Sequence, residues 1–133
     1  MVLVDTNVLI DISTDDPVWA DWSTNALEGA IDREGIAVNP IIFAEYSIAY
    51  LHERDADLAI ERLGAAKLPL PWSAAFLAGK AFAIYRSRGG SKTSPLPDFF
   101  IGAHAAVAGL TLLTRDAQRY REYFPKLKLI APK

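Results

Sequence analysis

The sequence predicts an α/β fold: a three-layer α/β/α sandwich around a mostly parallel central sheet. Three observations carry this prediction. Short apolar runs rich in β-branched residues recur along the chain and read as buried strands. Longer stretches opened by cap-then-proline signals lie between them and read as helices. The two kinds of segment alternate from end to end, which is the pattern of strands joined by helical crossovers. With 133 residues, 51% of them hydrophobic, the chain is sized for one domain (residues 1–133) with a single core.

Val2-Leu3-Val4 is the first strand, and it ends at Asp5. Thr6 and Asn7 suit a turn or a helix N-cap, and residues 7–12 read as a short helix or turn. Residues 13–17 break the pattern, with Asp16 or Thr14 placed to cap a helix starting near Pro17. That helix runs to about Arg33, with Trp19, Trp22, Ala26, Ala30 and Ile31 along one side. Ile36-Ala37-Val38 is the second strand. Asn39-Pro40 repeats the cap signal, and the helix over 40–52 is apolar almost all round, which makes it central. A more polar, exposed helix spans 54–64. Residues 68–72 are extended, because a residue preceding proline is pushed out of the helical region. Ser73 is placed to cap a helix over 74–87, and the basic, glycine-rich stretch 88–95 is a loop. An alanine-rich helix follows Leu96-Pro97-Asp98 and stops at Gly109. Residues 110–113 form a strand, 117–123 a helix and 127–130 a last short strand. The strand order stays open.

Composition narrows the chemistry. There is no cysteine, hence no disulfide framework or thiolate metal site, and only two histidines, His52 and His104. Any metal would be held mainly by oxygen, which favours magnesium or manganese over zinc. A net charge of −2 is not that of a nucleic-acid binder working by bulk attraction alone. No apolar run is long enough to span a bilayer, and the N-terminus lacks the basic region of a signal peptide. The expected location is the cytoplasm, with no membrane partner.

Most of the sixteen acids sit in polar surroundings and read as solvated surface groups, Asp11 among them. Four do not. Glu45 has Ile41, Ile42, Ile48 and Ala49 as its helical neighbours. A carboxylate on an apolar face must be paired, protonated or bound to a cation, because a lone buried charge is very costly. The plain alternative is a glutamate satisfied by an arginine, a tyrosine or the backbone. Asp98 opens a helix beside Ile101, Gly102 and Ala105, where the helix dipole alone could account for it. Asp5 and Asp116 each end a predicted buried strand, where each could simply be a cap. If the strands are parallel neighbours, the four converge at one sheet edge. Gathered carboxylates raise one another's pKa and call for counter-charge. One or two divalent cations would supply it, with an obvious use in activating water against a phosphoryl group.

Asp5-Thr6-Asn7 after an apolar strand, an inward Glu45, Asp98-Phe99-Phe100-Ile101 opening an alanine-rich helix, and Leu112-Leu113-Thr114-Arg115-Asp116 together resemble the PIN-domain nucleases. The closest resemblance is to the VapC-type toxins of bacterial and archaeal toxin–antitoxin pairs, and it covers essentially the whole chain. It implies a PIN-like α/β/α sandwich and a Mg2+- or Mn2+-dependent endoribonuclease. Carried over residue by residue, Asp5, Glu45, Asp98 and Asp116 become the acidic catalytic and metal site. Asp5 and Asp98 come first as direct ligands, Asp116 next. Glu45 binds the metal directly, binds it through water, or orients the attacking water. Thr114 supports an acid or a bound water, while Thr6 and Asn7 fix the Asp5 turn by backbone capping. Arg115, adjoining Asp116, is the candidate RNA phosphate contact. Arg88 and Lys92 are weaker candidates, and His104 reads as a packing residue rather than a base. The resemblance also implies an RNA substrate, a small cognate antitoxin and a homodimer. Some relatives carry a further acid shortly after the last aspartate, whereas Ala117, Gln118 and Arg119 follow here.

Two other functions compete: a non-catalytic PIN-like module that binds protein or RNA, and a phosphatase of small substrates. Glu45 separates the first from a nuclease, since capping cannot explain a mid-helix acid. A closed pocket at the acidic edge would favour the phosphatase, and an open groove the nuclease.

Overall fold

The computed structural model describes residues 1–90 and 96–133. Five parallel strands form one sheet in the order β3-β2-β1-β4-β5. They are β1 (Val2–Val4), β2 (Ile36–Val38), β3 (Ala66–Lys67), β4 (Thr111–Leu113) and β5 (Leu129–Ile130). The helices between them are α1 (Thr6–Ser13), α2 (Ala20–Arg33), α3 (Pro40–Ser47), α4 (Glu53–Leu63), α5 (Trp72–Ser87), α6 (Leu96–Ala108) and α7 (Gln118–Tyr123). This is the predicted α/β/α sandwich, and its sheet is wholly parallel.

The order has a direct consequence for the site. The chain moves outward from β1 through β2 to β3, then returns to lay β4 on the other side of β1. Parallel crossovers are right-handed, so the reversal puts α1–α4 on one face and α5–α7 on the other. It also leaves a crevice between the carboxyl ends of β1 and β4, the place where open α/β sheets gather ligands. Val4 is in register with Leu113, and the Asp5 N–H donates to the Leu113 carbonyl at 2.8 Å. Asp5 and Thr114 therefore leave the sheet side by side. β1, β2 and the inner part of β4 are fully buried, which is why they read as unbroken apolar runs rather than alternating ones.

Several boundaries differ from the expected ones. Asp16 does cap, accepting from the N–H groups of Val18 and Trp19 at 2.9 Å each, but it caps a turn, and α2 starts only at Ala20. The buried face of α2 is Ala20, Ser23, Leu27 and Ala30, with the tryptophans flanking it. α3 ends at Ser47 rather than near His52. α5 begins at Trp72, so Ser73 lies inside its first turn instead of capping it. β3 forms where no element was expected, and the extended segment after it stops at Pro71, because Trp72 already belongs to α5. Gly109 terminates α6 as expected, with φ +67, a conformation that glycine adopts without a Cβ penalty. The loop reading of 88–95, Lys92 included, lies mostly outside the described residues. Arg88 stands away from the acids, 3.6 Å from Glu122 and over the Tyr123 ring. Among the described residues, no helix is long and apolar enough to cross a membrane.

Candidate acidic active site

Asp5 is the buried centre of the site, at 3% exposure. It is the N-cap of α1, and its Oδ1 accepts the Thr6 N–H at 2.8 Å. Its Oδ2 accepts from the Thr114 hydroxyl at 2.9 Å and the Tyr120 hydroxyl at 2.8 Å. None of these donors carries charge. Burial and the nearby Asp98 outweigh them, and the Asp5 carboxyl is pushed up to about 7. A capping aspartate on a solvated helix end has no reason to titrate there.

Glu45 comes from α3, which is started by Asn39. The Asn39 Oδ1 accepts from the Ile42 N–H at 2.9 Å, and Pro40 fills the first turn. This orientation leaves the Asn39 amide nitrogen facing His104 Nδ1 at 3.0 Å, so the buried His104 accepts there and helps fix the start of α3. One turn further on, Glu45 Oε1 accepts from the Thr6 hydroxyl at 2.8 Å. Thr6 thus joins Glu45 to the Asp5 turn. Burial, followed by the Asp98 charge, raises the Glu45 pKa, with the Thr6 hydroxyl opposing. No arginine pairs with Glu45 among the described residues.

Asp98 stands in the first turn of α6. Burial raises its pKa, Arg119 opposes that most strongly, and Asp116 adds to the rise. Arg119 Nη1 sits 2.8 Å from Asp98 Oδ2. Asp116 follows β4. It does not cap α7, whose N-cap is Ala117 with no side-chain bond. Its N–H donates instead to the Thr114 hydroxyl at 3.1 Å, which aligns that hydroxyl toward Asp5.

The four acids expected from sequence therefore surround one crevice and act on one another electrostatically. They are not yet a ligand cage: among the described residues, no three acidic or histidine side chains stand close enough to hold one ion. The donor set still suits a hard divalent cation, being all oxygen, with Asp5 buried, Glu45 and Asp98 half-buried and Asp116 exposed at the opening. Asp98 is the member that is ion-paired, with Arg119. Beside it, Tyr85, Asp116, Arg119 and Glu122 border an open depression of about 240 Å³.

Three assignments change in detail. Thr6 and Asn7 do not fix the Asp5 turn by backbone capping, since Asp5 is itself the cap. They act as cross-ties. Asn7 Oδ1 accepts the Arg115 N–H at 3.2 Å, and its Nδ2 donates to the Thr114 hydroxyl at 3.3 Å. Asp11 is not a surface acid; it is 1% exposed. It accepts from Arg115 Nε at 2.8 Å and Nη2 at 3.1 Å, and from the Ser23 hydroxyl at 2.9 Å. Arg115 is thereby held in a two-point pair and lies over Trp19, a structural engagement that its position next to Asp116 does not reveal.

Sequence reasoning missed Tyr120 and Arg119. Both lie on α7, whose approach depends on Gly102 of α6. A Cβ there would come within 2.6 Å of the Phe124 ring and 3.0 Å of Tyr120. The bare glycine lets α7 lie close enough for Tyr120 to reach Asp5. The available signal was the spacing: Tyr120 follows Asp116 by four residues, about one helical turn.

Comparison with known proteins agrees with this fold. No curated protein matches the sequence significantly. In structure, the chain is similar to one in the VapBC2 complex of Rickettsia felis, bound to a promoter DNA fragment, at 20% identity and TM-score 0.75, covering 100% of both chains. It is similar to one in VapBC-1 of nontypeable Haemophilus influenzae at 17% identity and TM-score 0.73, covering 98% of both. A third likeness is to DNA-bound VapBC of Salmonella typhimurium, at 20% identity and TM-score 0.68, covering 98% of this chain and 96% of that one. At such identities these likenesses speak for the fold. The sequence itself matches the PIN domain family over residues 2–124, and the chain belongs to that family.

Proposed function

We propose that this chain is a divalent-metal-dependent endoribonuclease and the toxin of a toxin–antitoxin pair. The observation that carries the catalytic reading is Asp5: a buried carboxylate with no cationic partner among the described residues, raised to about 7 and flanked by Glu45 and Asp98. Such an arrangement is unfavourable for folding and makes sense where a cation is to be bound. The toxin reading draws on family membership and on the VapBC complexes among the structural neighbours.

Asp5, Asp98 and Asp116 would hold Mg2+ or Mn2+, with Glu45 bound directly or through water. The bound ion supplies Lewis acidity toward a phosphodiester and favours ionisation of a water. The chain's own residues do the rest. Thr114 and Tyr120 fix the Asp5 carboxylate by two hydroxyl hydrogen bonds. Thr6 holds Glu45 by one oxygen. The raised proton affinity of Glu45 suits it to accept a proton from the attacking water. The open depression beside Asp116 and Arg119 suits a polymer better than an enclosed small substrate. Exposed apolar side chains, with Trp72 and Phe76 on α5 and Ile48 and Leu51 after α3, are surfaces that an antitoxin or a second copy would cover.

The test is cleavage of a mixed RNA substrate with Mg2+ or Mn2+ by the purified chain and by Asp5→Asn. Metal-dependent cleavage by the wild type and none by the variant is expected, together with growth arrest on expression that Asp5→Asn relieves. Full cleavage by Asp5→Asn with metal still required would sink the site assignment. RNA binding without cleavage in any metal would favour the non-catalytic module.

A further inference from the structure

Among the described residues, Arg119 is the one cation in ion-pair contact with any of the four site acids, and its partner is Asp98. Its guanidinium is 2.8 Å from Asp98 Oδ2, with both side chains about one-third exposed (34% and 32%). The same guanidinium lies 5.5 Å from the centre of the Tyr85 ring. Tyr85 packs in turn on Phe99, next to Asp98 in α6, with ring centres 5.4 Å apart. Arg119 is therefore supported on an aromatic face at the mouth of the crevice while one nitrogen of its guanidinium engages Asp98, the acid coupled in charge to the other three. An ordinary surface ion pair contributes little and neutralises nothing that matters. Here the carboxylate is an expected ligand, and no three acids converge while it is so held.

We propose that Arg119 is the resident counter-ion of the acidic site: it holds Asp98 in the metal-free protein and must release it before a divalent cation can be bound there, so that Arg119 sets the cation affinity of the site. This rests on the metal-site reading above. A guanidinium cannot shed its charge, so it cannot yield by deprotonation as a lysine can. It can only move. The Tyr85 ring offers a cation–π resting place once Asp98 is taken. The site would then stay charge-balanced in both states, with one cation exchanged for another.

The experiment is a calorimetric titration of the metal-free chain with Mn2+, without RNA, so that binding and not turnover is read. Wild type, Arg119→Gln, Arg119→Lys, Arg121→Gln and Asp5→Asn are compared, with thermal melts establishing that each is folded. Arg121 is an exposed residue of the same helix, so its variant removes the same unit of charge away from Asp98. Arg119→Gln is expected to bind Mn2+ about tenfold tighter, the lower end of what a contacting opposite charge does to a carboxylate, discounted for partial exposure. Arg119→Lys is expected between it and wild type, and Arg121→Gln within about twofold of wild type, since distant exposed charges are screened. Equal or weaker binding by Arg119→Gln overturns the proposal, as does an equal gain in Arg121→Gln, which would mean bulk charge alone. If wild type binds Mn2+ and Asp5→Asn does not, an unchanged Arg119→Gln sinks this inference and leaves the metal site standing. If no variant binds Mn2+, both fall.

Discussion

Replacing Asp5 by asparagine should remove activity and yet, at alkaline pH and without metal, stabilise the protein. Asp5 goes from 3.8 to about 7 on folding, because burial and Asp98 disfavour its charged form. The folded state thus binds the proton more tightly than the unfolded chain. By linkage, stability from this group is fully present below about pH 4 and is lost as pH rises through about 7. A rise of about three pKa units, at about 1.4 kcal/mol each, makes ionised Asp5 unfavourable by about 4 kcal/mol at pH 8.5. Asparagine has nearly the same shape and no charge. It can accept from Thr114 and Tyr120 with its one oxygen, but its NH2 group then faces the Thr6 N–H, and that lost cap costs about 1 kcal/mol. The expected net effect is a gain of about 2–3 kcal/mol at pH 8.5 and a loss of about 1 kcal/mol at about pH 3, where Asp5 is largely neutral in the folded and the unfolded chain alike. Urea denaturation in the presence of a chelator, at both pH values, reads this directly. A difference in stability between variant and wild type that does not change with pH would refute the argument, as would destabilisation at pH 8.5. Saturating Mn2+ should reverse the order by stabilising wild type alone.

Three further outcomes follow from the same contacts. Tyr120→Phe removes a donor that lowers the Asp5 pKa, so a larger share of Asp5 is protonated at pH 7; cleavage should fall about tenfold there and recover by about pH 8.5, as a pH–rate profile would show. Gly102→Ala should cost about 1–3 kcal/mol and most of the activity, because the added methyl would press on Phe124 and Tyr120 and push α7 away from Asp5; thermal unfolding and cleavage together test this. Asp11→Ala leaves the Ser23 hydroxyl unpartnered and releases Arg115, which is exposed enough to turn toward solvent. A loss of about 2–3 kcal/mol by denaturant titration is expected, below the full effect of breaking a wholly buried pair.

The sheet was largely legible because its inner strands are buried on both faces and therefore write themselves as apolar runs. β3 was not, because Ala66-Lys67 is a two-residue edge with no such run. Its existence depends on pairing with β2, a contact far away in sequence. The strand order was equally silent, since nothing local states which neighbour a strand will take. The four acids stood out because each occupies a place where a carboxylate needs a reason: the end of a buried strand, or an apolar helix face. What could not be read is who answers them. Asp11 resembles any acid on a short helix until Arg115 arrives from beyond β4. Arg119 resembles a solvated charge until α7 crosses α6 at Gly102 and brings it to Asp98. These meanings belong to long-range packing, and the local sequence does not carry them.

The cross-ties at the crevice also bear on when the proposed active site can assemble. Asp5 is near the start of the chain, and its side-chain partners Thr114 and Tyr120 are near the end. Contacts over such separations form late, after the long loops between them have closed. A chain emerging from the ribosome would already display Asp5, Glu45 and Asp98, but without β4 and α7 it would lack the hydroxyls that aim Asp5 and the sheet partner that positions it. On the nuclease reading, the acidic site stays unassembled until β4 and α7 have been made and have docked against β1 and α6, so activity waits on these long-range contacts and not on the acids themselves.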